Sequence, residues 1–207
     1  STAIFDLAMS LSIHCDMAAI NTRTIWYHGG NRITDWRDYR WDRDRSTSDG
    51  NAEGPGMYFT TSIEEATGYL YQMPDPVIYA ARMRPGFRLL AGKPTLPFLL
   101  SVYAQASAED QETLITNFGI EYPTSAYAVQ GVLRNYVHAS TKADAAIQLY
   151  HDLFRHDDGA YVVAMREAGY DGFVVPRRVA GSRQRDHLIL WNVAAVELGE
   201  VPIPADV

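Results

Sequence analysis

Apolar residues recur at helical spacing through the opening stretch "AIFDLAMSLSIHCDMAAI" (3–20), broken by Asp6, His14 and Asp16, and predict an amphipathic helix. "TRTIWYHG" (22–29) is short, rich in β-formers and ends at glycine, which predicts a strand. Residues 30–56 are polar throughout and read as a long loop, a length that in a compact domain is usually functional or disordered. "GMYFTT" (56–61) is the next strand and "SIEEATGYLYQ" (62–72) the helix after it. Ser62 and Glu65 have the S-x-x-E spacing of a capping box, which fixes where that helix starts. "PVIYAARMRPGFRLL" (76–90) reads as a strand, a Pro-Gly turn and a second short strand.

The texture then changes. Residues 96–169 are rich in Ala, Leu, Gln, Glu and Asp, with i, i+3, i+4 apolar spacing in "AYAVQGVLRNYVH" (126–138) and "AAIQLYHDLF" (145–154). Four or five helices are expected there. Strand patterning returns at "GYDGFVVP" (169–176) and "DHLILWNVAAVEL" (186–198), and the tail "GEVPIPADV" reads as extended or frayed. The expectation is an α+β fold in a single domain over 1–207, with a helical insertion at about 94–169. The strand regions flanking the insertion share one sheet, with helices packed over a face or edge of it.

Composition narrows this picture. With 207 residues and 47 % hydrophobic content, the chain suits one domain, or one domain with a sizeable insertion. A chain of this length buries roughly 70 % of its unfolded surface, so its core needs no staples. Lys and Arg number 18 against 25 Asp and Glu, a formal charge of −7, which disfavours non-specific nucleic-acid binding. A local basic cluster nonetheless occurs at Arg177, Arg178, Arg183 and Arg185. Cys15 is the single cysteine, which excludes an intrachain disulfide and a cysteine-based zinc site and fits a reducing, cytoplasmic compartment. No apolar run approaches the ~18 residues of a membrane span. The first helix lacks a basic n-region and is not read as a signal peptide. The chain begins at serine, read either as loss of an initiator methionine or as excision from a longer protein.

The chemistry-bearing residues sit in two short stretches. In "YHGG" (27–30), His28 stands beside Gly29 and Gly30, whose bare backbone allows close approach of a ligand. In "GPGMYFTTSIEEATGY" (54–69), Gly54, Pro55 and Gly56 form a turn directly before Tyr58, and Tyr69 follows in the predicted helix. A strand and the helix after it can pack so that both rings face one slot, a clamp for a flat ring; the same spacing also suits two core tyrosines. His138, His151 and His156 lie on predicted helices at spacings that make no clean metal face and read as surface or packing residues. Ser46, Thr47 and Ser48 read as solvated loop positions, and Trp26, Trp36, Trp41 and Trp191 as core or loop anchors.

Taken together, "IWYHGG", "GPGMYFTTSIEEATGY", "MREAGYDGFVV" and "HLILWN" resemble the ADP-ribosyltransferase superfamily, in its His–Tyr branch of diphtheria-type toxins and poly(ADP-ribose) polymerases. The likeness is greatest to compact bacterial and phage transferase domains. It covers roughly residues 22–90 and 160–198 and leaves the helical insertion unmatched. The resemblance implies a split mixed β-sheet core and NAD as co-substrate, with no metal. It implies that His28 bonds the nicotinamide-side ribose, that the backbone of Gly29 holds the carboxamide, and that Tyr58 and Tyr69 stack on the nicotinamide. Thr60, in the same motif, falls on the cofactor side. Where that branch carries a catalytic glutamate on a late strand, an ungapped alignment puts His187 and a one-residue shift puts Asp186. A strand alternates faces, so only one of the two can point into the site. Loss of the glutamate points to transfer of a single ADP-ribose.

The implied function is mono-ADP-ribosylation of a macromolecular acceptor, protein slightly favoured over nucleic acid because the chain is acidic, by a bacterial or phage effector or toxin. Such an effector can act in the cytoplasm of a cell into which it is delivered and can have an immunity or antitoxin partner. The alternatives are an NAD glycohydrolase and a non-catalytic interaction domain on an inactivated transferase scaffold.

Overall fold

The computed structural model describes residues 22–33, 55–71, 73–120, 125–177 and 185–204. The expected helix at 3–20, Cys15, Gly54, Ser46 to Ser48, Trp36, Trp41, Arg178, Arg183 and most of the 30–56 loop lie outside the described residues. The fold is α+β. Two compact units divide it: Leu90–Tyr170 dominates one, and the described parts of Ala19–Asn51, Pro55–Leu89 and Asp171–Val207 form the other.

The sheet lies in the second unit, apart from Leu90 at the end of one strand. Its strands are β1 (Trp26–Asn31), β2 (Met57–Thr60), β3 (Pro76–Met83), β4 (Leu89–Leu90), β5 (Gly172–Arg177), β6 (Arg185–Leu190) and β7 (Val196–Val201). They lie in the order β4-β5-β6-β2-β1-β3-β7, so strands from both sides of the helical region share one sheet, as the pattern predicted. β1 runs antiparallel to β3 over six registered pairs, from Trp26↔Ala81 to Asn31↔Pro76. β2 runs antiparallel to β6 over four, from Met57↔Leu190 to Thr60↔His187. Between β1 and β2 a single pair is registered, Tyr27↔Thr60, and the backbone ladder goes no further.

Alternation along the strands sends Trp26, Met57, Phe59, Ala81, Met83, Leu188, Leu190 and Val196 to one face, where with Ala195 they form a buried apolar cluster. The short helix α1 (Ile63–Gly68) packs on the other face: a Cβ on Gly29 would run into the backbone carbonyl of Ala66. Gly56, at φ +155°, makes the turn into β2, and a side chain there would collide with Ile189.

Two boundaries differ from expectation. α1 ends at Gly68 and not at residue 72, because glycine is a poor helix former, so Tyr69 stands just past the helix. The run at 186–198 breaks at Asn192, whose side chain accepts from the Ala194 N–H and turns the chain through Val193–Ala195 into β7; that strand also takes in residues 199–201 of the expected tail.

The helical unit contains α2 (Leu96–Tyr103), α3 (Ala108–Asn117), α4 (Ala126–Leu133), α5 (Lys142–Asp152) and α6 (Asp158–Glu167). A 3-10 turn at Arg134–His138 follows α4. Each helix starts at a Ser, Thr or Asp that accepts a backbone N–H of the first turn: Thr95, Ser107, Ser125, Thr141 and Asp157. Their apolar stripes supply Leu99, Val102, Ile115, Leu133, Leu149 and Met165 to the core of this unit. Among the described residues no helix is long and apolar enough to cross a membrane.

Candidate functional site

β1 carries His28 to the place where the ladder with β2 stops. There the imidazole does what the backbone does not: its Nδ1 lies 2.7 Å from the carbonyl oxygen of Tyr58. A carbonyl only accepts, so Nδ1 carries the proton, and in the neutral ring Nε2 keeps its lone pair. Among the described residues Nε2 has no hydrogen-bond partner, and it sits over Gly30, 3.1 Å from where a Cβ would stand. The half-buried ring packs against Phe59 (centroids 5.6 Å apart) and lies nearly parallel to Tyr79 at 6.4 Å. Burial lowers the pKa of His28 below its ordinary 6.5, against a smaller opposing effect of the Tyr58 carbonyl. The site therefore holds a neutral histidine with a free acceptor.

Gly29 faces the other way, toward α1. On its side of the sheet stand Tyr58 and Thr60 from β2 and, by register, Ile189 and His187 from β6. The turn ahead of Tyr58 is held by Trp191, whose indole N–H donates to the carbonyl of Pro55 at 3.0 Å. Tyr69 bonds back through its N–H to the Ala66 carbonyl, and the residue is 55 % exposed. The geometry brings Thr60 and His187 together and ties His28 to the main chain of Tyr58.

Of the two residues competing for the late-strand position, His187 shares the face of Tyr58 and Thr60 and is 4 % exposed. Asp186 lies one residue earlier and so on the opposite side; its backbone pairs with Thr61, whose Oγ1 accepts its N–H at 3.3 Å and whose N–H donates to its carbonyl.

One residue of this site was not singled out from the sequence. Glu65 on α1 bonds His187 Nε2 through Oε1 at 2.9 Å and accepts the Thr60 hydroxyl through Oε2 at 2.6 Å. The expected capping box is accordingly only half formed. Ser62 accepts the Glu65 N–H, but the Glu65 carboxylate does not return to Ser62, whose N–H donates to Thr60 Oγ1 instead. The S-x-x-E spacing that marks Glu65 is the same for both uses; only its position beside β6 distinguishes them. A carboxylate anchored on one imidazole nitrogen fixes the ring's orientation, as in a histidine that handles protons through its other nitrogen.

No family model, no curated protein and no solved structure matches the chain.

Proposed function

We propose that the chain is a mono-ADP-ribosyltransferase that cleaves NAD at the nicotinamide glycosidic bond and passes ADP-ribose to a protein acceptor. One observation carries the reading: His28 spans the parted strands β1 and β2 to reach the Tyr58 carbonyl, leaving Nε2 as an acceptor. A ribose hydroxyl is a donor that such a nitrogen would take. The resemblance to the His–Tyr branch assigns the same histidine that task. The match of Gly29 to the carboxamide, and of Tyr58 and Tyr69 to the nicotinamide ring, is part of the same proposal.

As the C–N bond breaks, its electron pair leaves with nicotinamide and positive charge develops on the ribose. The acceptor attacks the anomeric carbon and gives up a proton. We assign the receiving base to His187, which Glu65 holds. Placing the reacting groups supplies much of the acceleration in such a reaction.

The test is incubation of the purified chain with labelled NAD and a cell lysate, beside the His28→Ala variant. Label on protein with the native chain alone supports the transferase. Nicotinamide release without labelled acceptor makes it an NAD glycohydrolase, and label on RNA changes the acceptor class. Absence of both label transfer and nicotinamide release leaves a non-catalytic interaction domain.

A further inference from the structure

The helical unit carries a pair of imidazoles that the NAD reading does not use. His151, near the end of α5, and His156, in the turn before α6, bring Nδ1 and Nε2 to 3.2 Å from each other. Their rings stand edge to face, with centroids 4.6 Å apart. A five-residue separation on a continuous helix would turn the two side chains to different faces. Here α5 has ended at Asp152, and Arg155 (φ 48°) and His156 (φ 64°) are both left-handed, which folds the second ring back onto the first.

Left-handed backbone at two consecutive non-glycine residues is unfavourable and persists only where its surroundings hold it. Three contacts do so. The Tyr150 ring packs against His151 at 5.2 Å and His156 at 5.0 Å, and the Tyr150 hydroxyl is fixed by Asp158 Oδ1. Arg155 is tied to Asp110 Oδ1 at 2.6 Å and reaches Glu109. The His156 N–H donates to the Tyr150 carbonyl at 3.2 Å. The ring positions are thus set in advance, while both histidines remain exposed to solvent.

We propose that His151 and His156 form a surface site for a borderline divalent transition ion, Zn(II), Ni(II) or Cu(II). Two imidazole nitrogens each about 2.05 Å from one tetrahedral ion stand about 3.3 Å apart, against 3.2 Å here. In the metal-free chain one of these nitrogens donates to the other; the ion displaces that proton, and each ring turns so that both lone pairs meet it. Among the described residues no three His, Cys, Asp or Glu side chains converge as a metal cage. The site therefore supplies two protein donors, and water completes the coordination. Imidazole donors select these ions over Mg(II) or Ca(II), which take oxygen ligands.

The test is calorimetric titration of the metal-free chain with Zn(II), and separately with Ni(II) and Cu(II), at about pH 7.5, with Mg(II) as control. It compares the native chain with His151→Gln, His156→Asn and His138→Ala. Asn tolerates a left-handed backbone, so His156→Asn removes the ligand without straining the turn; melting curves verify that each variant is folded. The expected result is one Zn(II) per native chain, at micromolar affinity and without response to Mg(II). Affinity should fall at least about tenfold in His151→Gln and in His156→Asn and stay unchanged in His138→Ala. Absence of Zn(II), Ni(II) and Cu(II) binding to the native chain overturns the proposal. So does Zn(II) affinity that survives in both folded variants.

Discussion

The carboxylate of Glu65 and the imidazole of His187 meet at 2.9 Å although 122 positions separate them in the chain. Neither group is placed by local sequence alone: α1 carries one and β6 the other, and the β2–β6 register aligns them through Thr60. Replacing Glu65 by Gln keeps the size of the side chain and an oxygen for His187, but removes the charge that orients a base. The Glu65→Gln chain should stay folded, with stability reduced by about 1–3 kcal/mol, while the proposed ADP-ribose transfer falls on the order of tenfold to a hundredfold. The loss should be in kcat and not in KM for NAD, read from initial rates of label transfer. An unchanged kcat would falsify a role for this pair in the reaction.

Gly29 has no room for a methyl group, because the Ala66 carbonyl occupies the space. Backbone cannot rotate away as a side chain can, so Gly29→Ala must push α1 off the sheet. Overpacking of this kind costs about 1–3 kcal/mol. Urea denaturation should record it, whereas Gly131→Ala, at an open helical position, should leave stability equal or raised.

Burial depresses the pKa of His28 in the folded chain below the 6.5 of the unfolded one. The unfolded state thus binds the proton more readily, and between the two values stability rises with pH. The contribution is complete above about pH 6.5 and is lost as pH falls through the folded pKa. Denaturation midpoints measured from pH 5 to 8 should therefore drop on the acid side, and His28→Gln should flatten that slope. A native slope identical to that of the variant would mean that His28 does not titrate in this range.

Trp191 closes the turn ahead of Tyr58 by donating to the Pro55 carbonyl in a buried setting. Trp191→Phe keeps most of the apolar bulk and removes the donor, leaving that carbonyl unsatisfied. A loss of about 1–3 kcal/mol is expected, measured by thermal or chemical unfolding. Because the same turn leads into β2, the proposed KM for NAD should rise as well.

The helices between residues 96 and 169 were legible because each joins an apolar stripe to a capping side chain, both local properties; Thr141 with Asp144 even forms the complete capping box. His28 and Gly29 drew attention for an equally local reason, bare backbone beside a titratable ring. Glu65 did not, since its spacing from Ser62 satisfies a local rule while its carboxylate serves a distant strand. Tyr69 was expected inside a helix that Gly68 ends. The choice between Asp186 and His187 needed the β2–β6 register, which no single segment contains. The meeting of His151 and His156 needed two left-handed residues that are neither glycine nor asparagine, a conformation sequence pattern does not announce.

The β2–β6 pairing sets an order of events during synthesis. β1, β2 and α1 are complete by residue 68, yet Thr60 and Glu65 have no His187 to bind until β6 is made. At ribosomal speeds that interval lasts on the order of ten seconds. For that time the edge of β2 that β6 will occupy lacks its native partner, and contacts this distant in sequence form slowly. A nascent chain halted inside the helical region would carry His28 and Tyr58 without β5, β6 and β7, and the proposed activity toward NAD should be absent from it.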